Sequence, residues 1–314
     1  MSLPSVAIVI PTRNRHDCLK QCLLRLIPYT IGHPECTIIV SDDGNASETK
    51  AVMEGGLGVV QVIQGPRRGP AANRNCGAFN STEELLIFLD DDCIPDPELI
   101  AVYQKAAQEC QDVNVFEGRI SAQGEESGFA DAVLSNESGG NLWSCNFAVR
   151  RKTFVRVNGF DERFPFAAME DIDFHLRVKR FSSVKFLPDA RVWHGIEQRR
   201  GWRIIKHHTL SVLLYMHVHG LKCTNKSARY FIHAAVRMAI VEGLEHLRVL
   251  KLKNPWQLVY RIWASLQLAL IVSLWRYHAQ LARKFYPSCC PGCDRIHAVL
   301  ASSESIATSS GVRK

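Results

Sequence analysis

Four short apolar runs in the first ninety residues constrain the fold of this chain more than any other feature. Residues 6–10 (VAIVI), 37–40 (TIIV), 59–63 (VVQVI) and 85–89 (LLIFL) are mostly β-branched or apolar and too short for helices. Helix-patterned stretches separate them, one around Leu19, Cys22, Leu23 and Leu26 and another from Pro70 to Phe79. After the fourth run, Pro97 is expected to open a further helix. Continuous apolar strands alternating with helices predict an α/β fold, with a mostly parallel central sheet covered on both faces. No internal repeat is visible.

The residues that follow these strands are polar and acidic. Strand one runs into Pro11-Thr12-Arg13-Asn14, strand two into Ser41-Asp42-Asp43-Gly44, and strand four into Asp90-Asp91-Asp92. Ligands of open α/β sheets bind at the carboxyl ends of the strands, so all three clusters are expected on one crevice. Three contiguous aspartates repel one another unless a cation or a ligand offsets their charge. Carboxylates one residue apart at a strand end form a hard-oxygen site suited to Mn²⁺ or Mg²⁺. Asp42 and Asp43 offer acceptors for a base N–H or for ribose hydroxyls. Between the clusters, the loop that begins at Gly65 and enters a helix carries Arg67, Arg68 and Arg74, whose guanidiniums suit a diphosphate. Taken one at a time, each aspartate pair reads as well as a helix cap or turn acceptor as it does as a ligand, and three clusters on one edge favour the ligand.

Charge divides the chain. Residues 1–198 carry 20 Lys/Arg against 27 Asp/Glu, net −7, whereas residues 199–288 carry 15 Lys/Arg against Glu242 and Glu245, net +13. Three regions are therefore expected: a catalytic domain over 1–198, a basic and apolar helical extension over 199–288, and a Cys-containing segment with a disordered tail over 289–314. The extension mixes apolar residues with histidines and cations and shows no nucleic-acid motif, so an anionic membrane surface is the expected partner rather than nucleic acid. Its residues 258–275 are strongly apolar, but Arg261 and Gln267 interrupt them, which leaves a buried core helix and an interfacial helix as the two readings. The start of the chain has no basic n-region and its apolar run is too short for a signal peptide. Eleven scattered cysteines fit reduced thiols, so a cytoplasmic chain is expected, peripheral on the cytoplasmic face of the membrane. Cys289, Cys290 and Cys293 with His297 are an incomplete zinc set, and free or acylated thiols are the readings kept. At 46% apolar residues, the composition excludes a globally disordered chain.

The ordered series VAIVIPTRNR, VSDDGN, GPAANRNCGA, FLDDDCIPDPEL, NFAVRRKTFVRVNGFDERF, EDIDFHLRV and PDARVWHG spans residues 6–195. It resembles glycosyltransferase family 2, inverting enzymes of the GT-A (Rossmann-like) fold. The resemblance implies a nucleotide-sugar donor, a glycan or lipid-linked acceptor and a divalent metal, with UDP- or dTDP-sugars the expected donors. It places Pro11, Thr12, Arg13, Asp42 and Asp43 at the nucleoside and Arg74 near the phosphates. It makes Asp92 the direct metal ligand, with Asp90 its closest competitor and His194 near the metal or diphosphate. Asp90 or Asp91 falls at the ribose. Asp171 takes the position of the general base, on a helix whose apolar side is expected to hold Ile172, Leu176 and Val178. Inverting transfer is a single displacement, which needs one base opposite the leaving diphosphate. Two rivals are weighed: a phosphotransferase with an aspartate nucleophile, and a peripheral membrane protein that binds nucleotide sugar without transferring it.

Overall fold

The structure is a computed structural model. It describes residues 3–53, 60–123, 131–132, 134–195, 197–198 and 202–219, with single positions between 236 and 269. In chain order the elements are β1 (Val6–Thr12), α1 (His16–Ile31), β2 (Cys36–Asp42), α2 (Ala46–Met53), β3 (Val60–Gln64), α3 (Pro70–Phe79), β4 (Leu85–Leu89), β5 (Cys93–Pro95), α4 (Leu99–Glu109), β6 (Val115–Gln123), β7 (Asp131–Ala132), β8 (Asn146–Arg150), α5 (Arg151–Arg156), α6 (Glu170–Val178), β9 (Val184–Gly195), β10 (Glu197–Gln198) and α7 (Trp202–His219). They fall into two compact units. The first comprises residues 1–125, 133–162 and 170–196, and the second residues 126–132, 163–169 and 197–314.

The first unit is built on an eight-stranded sheet in the order β3-β2-β1-β4-β8-β6-β9-β5. Strand β1 lies between β2 and β4, parallel to both, and all seven of its residues are buried. Alternation along it explains the unbroken apolar run. Val6, Ile8 and Ile10 pack with Leu19, Cys22, Leu23 and Leu26 of α1, while Ala7 and Val9 pack with Ala71 and Ala78 of α3. Small residues let α3 approach closely: a Cβ at Gly77 would lie 2.5 Å from Val9 Cγ1.

The parallel arrangement holds from β3 to β4 and then gives way to a mixed one. Strand β8 is antiparallel to both β4 and β6, β9 is parallel to β6, and β5 is antiparallel to β9. The sheet is thus mixed, because β8 enters from the carboxyl edge, with Asn146 opposite Leu89, and leads straight into α5. The register of β6 against β9 shifts between Gly118 and Arg119. Asn146 Nδ2 bridges that irregularity, donating to Arg119 O at 2.8 Å and Ala190 O at 2.9 Å. Beyond the shift, β9 delivers His194 opposite Cys93 of β5.

A phenylalanine cluster fixes α5 and α6 beneath the sheet. Phe88 stacks on Phe147 at 5.0 Å between centroids, and Phe160 on Phe174 of α6 at 4.7 Å. The face of α6 differs from the expected one. Phe174 and Val178 are buried with the acids Glu170 and Asp173, whereas Ile172 is exposed. Both buried acids have arginine partners, Arg74 and Arg177, and that pairing sets the inward face. Helix α4 begins at Leu99, so Pro97 lies in the preceding turn rather than opening the helix.

In the second unit β7 and β10 form an antiparallel pair, and Phe166 stacks on His207 of α7 with 3.8 Å between centroids. Among the described residues, no helix is long and apolar enough to cross a membrane. Most of residues 258–275, and Cys289, Cys290, Cys293 and His297, lie outside the described residues.

Candidate active site

The carboxyl ends of β1, β2 and β4 gather the three polar clusters. Residues Thr12 and Asp42 are opposed across the β1–β2 pair, and Asp43 N donates to Thr12 O at 2.9 Å. Pro11 and Thr12 are buried and Arg13 is exposed. Buried Asn73 of α3 clips the two strand ends together, donating to Thr12 O at 3.2 Å and Ser41 O at 2.9 Å.

Asp42 and Asp43 have different local duties. Asp42 accepts from Gly44 N at 2.6 Å and Thr49 Oγ1 at 2.7 Å, which ties β2 to α2. Asp43 accepts from Arg67 N at 2.8 Å and Gly69 N at 3.0 Å, so it holds the loop that enters α3. Burial pushes the Asp43 carboxyl up, against these two N–H groups and the nearby Arg13, which pull it down. Of the loop arginines, Arg67 donates to Gly44 O at 3.0 Å and Arg68 pairs with Glu162 at 2.7 Å.

The three contiguous aspartates point to three different places. Asp90 accepts from Arg74 Nη2 at 2.6 Å. Asp91, 3% exposed, accepts from Thr12 Oγ1 at 2.6 Å and pairs with Arg15 at 2.9 Å. Burial pushes its carboxyl up to about 7 even though Thr12 and Arg15 pull it down. Asp92 pairs through Oδ2 with Arg15 at 2.6 Å, and its Oδ1 is buried with no hydrogen-bond partner. That oxygen faces His194 Nε2 at 3.5 Å. His194 Nδ1 donates to Gly195 O at 2.8 Å, which leaves the Nε2 lone pair directed at Asp92 when the ring is neutral. Two acceptors facing each other and largely out of solvent fit a cation between them. The Asp92 and His194 donors therefore fit a divalent metal, and Arg15, by occupying Oδ2, orients Oδ1 toward it.

Arg74 is placed differently from a solvent-facing diphosphate ligand. Its side chain is 3% exposed and bridges Asp90 to Glu170 Oε1, the latter at 3.0 Å. Burial works against the Arg74 charge, but Asp90 and Glu170 more than offset it and hold its pKa above the ordinary value. Glu170 opens α6, and its Oε2 is buried without a partner. Burial, reinforced by Asp171, pushes the Glu170 carboxyl up despite Arg74. Asp171 is half-buried in the first turn of α6 and accepts from Ile172 N at 2.8 Å. Burial raises its pKa as well, while the Ile172 N–H and Arg74 lower it, and Asp90 lies close enough to raise it.

The structure thus brings the expected site residues together in three groups: Asp92 with His194, Asp90 with Arg74 on a bridge that reaches the helix of Asp171, and Asp42 with Asp43 next to Thr12. Arg15 and Glu170 were missed as site residues. Arg15 follows β1 in the run Arg13-Asn14-Arg15, and Glu170 precedes Asp171, so the signal was adjacency to a motif. Their partners lie 77 and 96 residues away, and no local pattern names them.

Residues 7–158 match the family model for glycosyl transferase family 2. This segment is a family 2 glycosyltransferase domain. The chain is 29% identical over 98 residues to glycosyltransferase AglE of Haloferax volcanii, covering 30% of this chain and 32% of AglE. It is 24% identical to the GalNAc(5)-diNAcBac-PP-undecaprenol β-1,3-glucosyltransferase of Campylobacter jejuni, covering 65% of this chain and 63% of that protein. Similarity to the O-antigen biosynthesis protein RfbC of Myxococcus xanthus is 27% identity, over 56% of this chain and 16% of RfbC. The chain thus spans less than two thirds of the length of each of these relatives. Among solved structures, residues 1–349 of S. aureus TarS in complex with UDP align with a TM-score of 0.51 at 15% identity, over 87% of this chain and 91% of that one. The mannosyltransferase PcManGT of Pyrobaculum calidifontis, in complex with GDP-Man and Mn²⁺, aligns with a TM-score of 0.50 at 16% identity, over 98% and 81%. The fold of the family 2 domain is GT-A.

Proposed function

We propose that this chain moves a sugar from a nucleoside diphosphate donor, a UDP- or dTDP-sugar, to a hydroxyl of a glycan or lipid-linked acceptor with inversion. The observation that carries this reading is the pairing, in one unit, of an orphaned Asp92 Oδ1 facing His194 Nε2 with an arginine bridge from Asp90 to the helix of Asp171. A second support is the family 2 match, which covers β1 through β8. Asp92 and His194 would hold Mn²⁺ or Mg²⁺, which supplies neutralising charge to a leaving diphosphate. Thr12, Arg13, Asp42 and Asp43 form the nucleoside side, and Asp90, held by Arg74, faces the ribose.

Asp171 acts as the base. As the acceptor oxygen bonds to the anomeric carbon, the bond from that carbon to the diphosphate breaks and the hydroxyl proton passes to an Asp171 carboxylate oxygen. The raised pKa of Asp171 suits that task, because a base nearer neutrality takes a proton more readily than an ordinary aspartate. The net charge of +13 over residues 199–288 supports a role for the extension in meeting an anionic membrane surface, with the chain on the cytoplasmic face.

The test is release of nucleoside diphosphate from a panel of nucleotide sugars with Mn²⁺. One donor is turned over by the wild type, and Asp171→Asn lowers turnover by about 10²-fold or more while donor binding persists. Turnover unchanged in Asp171→Asn overturns the assignment of the base. Metal-dependent phosphatase activity without nucleotide sugar overturns the transferase reading in favour of the aspartate-nucleophile rival.

A further inference from the structure

We infer that Cys93 is a third, soft ligand of the Asp92–His194 pocket, which makes the site a seat for thiophilic divalent cations, Zn²⁺ and Cd²⁺. The inference rests on the reading of Asp92 and His194 as a metal pocket. It adds a residue and a class of cation to that reading.

Topology carries the first step. Cys93 and His194 are directly opposed across the antiparallel β5–β9 pair, and opposed residues project from the same face of a sheet. Asp92 lies in the turn just before β5, so it escapes the strand alternation that would otherwise turn it away from its neighbour. Among the described residues, Asp92, Cys93 and His194 form a group whose candidate ligand atoms all lie within 4.8 Å of one another. Ligand atoms spaced this way can close on one small cation.

Each of the three has a donor to give. Asp92 Oδ1 is buried with no hydrogen-bond partner, and His194 Nε2 has its lone pair free when Nδ1 donates to Gly195 O. The Cys93 thiol donates to Cys145 O at 3.7 Å, a long sulfur contact that costs little to give up. Zinc binds carboxylate oxygen, imidazole nitrogen and thiolate sulfur alike, and three protein ligands with a fourth position left open is the count its catalytic sites use. Mn²⁺ and Mg²⁺ prefer oxygen and have little use for the sulfur, whereas Zn²⁺ stands above Mn²⁺ in affinity for mixed N/O/S sites. On binding, the Cys93 S–H bond breaks, its proton goes to the buffer, and the sulfur bonds to the metal without any change of oxidation state. Zn²⁺ and Mn²⁺ then compete for Asp92 and His194, and Zn²⁺ acts as an inhibitor of the metal-loaded protein.

The experiment titrates the full chain with Cd²⁺ alone and follows the thiolate-to-metal charge-transfer band in the near ultraviolet. Mn²⁺ binding is followed separately by loss of its free-ion paramagnetic resonance signal. Thiols elsewhere in the chain, Cys289, Cys290 and Cys293 among them, give a band of their own, so the readout is the difference, one tight equivalent more in the wild type than in Cys93→Ser. In Cys93→Ser that equivalent and its band are lost and Zn²⁺ affinity drops about tenfold or more, while Mn²⁺ affinity changes little. Cys93→Ala repeats the comparison in case the serine hydroxyl disturbs packing against Cys145. Equal bands and equal Zn²⁺ affinity in wild type and both variants, with Mn²⁺ bound normally, overturn the inference and leave the pocket reading intact. A Cys93-dependent band without Mn²⁺ binding supports the inference and overturns the Mn²⁺ assignment. Absence of binding by either cation overturns both.

Discussion

Replacing Arg74 by methionine removes the cation that links two carboxylates. Arg74 and Glu170 are 3% and 4% exposed at the side chain, and Nη1 lies 3.0 Å from Glu170 Oε1. Asp90, at 27% exposure and 2.6 Å from Nη2, has water to fall back on, so the penalty concentrates on Glu170. Removing one partner of a buried pair costs roughly 3–5 kcal/mol, and the lower end applies here because Glu170 can take up a proton instead. Proton uptake makes the cost depend on pH in a definite direction. Burial already raises the Glu170 pKa, and loss of Arg74 raises it further. A carboxylate whose folded pKa exceeds its unfolded value destabilises progressively as pH rises from the unfolded value toward the folded one, by up to about 1.4 kcal/mol per unit. Urea unfolding of Arg74→Met is therefore expected to show a loss of about 3 kcal/mol at pH 8, shrinking at pH 5, where folded Glu170 holds a proton and no buried charge is stranded. The double variant Arg74→Met/Glu170→Met, which removes the stranded charge, recovers a large part of the loss. A single-variant cost below about 0.5 kcal/mol at both pH values, or no recovery in the double variant, refutes the buried-bridge argument.

Two further outcomes follow from the same geometry. With Asp171 as base, turnover falls as pH drops through its raised pKa, so the acid limb of the kcat profile lies above the ordinary aspartate value of about 3.9; Arg74→Met moves that limb higher, and a flat profile contradicts the assignment. Gly65→Ala places a Cβ 2.6 Å from Asp43 Oδ1 and 2.8 Å from the Asp42 carbonyl carbon, which displaces the loop whose N–H groups hold Asp43. A stability loss of about 1–3 kcal/mol and weaker nucleotide binding are expected in denaturation and titration, and unchanged values of both contradict the close-packed loop.

The half of the sheet built from β1 to β4 was legible because its signals are local. Strand β4 occupies the expected residues 85–89 and helix α3 the expected 70–79, where Pro70 stands in the first helical turn and Gly69 precedes it with a φ of 99°. The gathering of Asp42, Asp43 and Asp90–Asp92 on one edge followed from their places at strand ends. The other half was not legible. Strand β9 contains Pro188 and alternates buried with exposed positions, and its pairing with β6 depends on a register shift that Asn146 stabilises from another strand. The inward face of α6 was misread for a related reason, since hydropathy ranks Ile172 above Glu170 and knows nothing of Arg74. Which aspartate meets which cation is likewise a long-range fact. Arg15 takes Asp91 and one oxygen of Asp92, Arg74 takes Asp90, and the remaining Asp92 oxygen is left facing His194.

The central claim, a metal-dependent nucleotide site at Asp92 and His194, is tested most directly by thermal unfolding with a panel of nucleoside diphosphates, with Mn²⁺ or with chelator, in wild type and Asp92→Asn. The account predicts that one nucleoside diphosphate stabilises the wild type with Mn²⁺ present, by about 2.7 kcal/mol at a hundredfold excess over Kd. Chelator abolishes that stabilisation, and Asp92→Asn lacks it. Equal stabilisation with chelator, or in Asp92→Asn, contradicts the account.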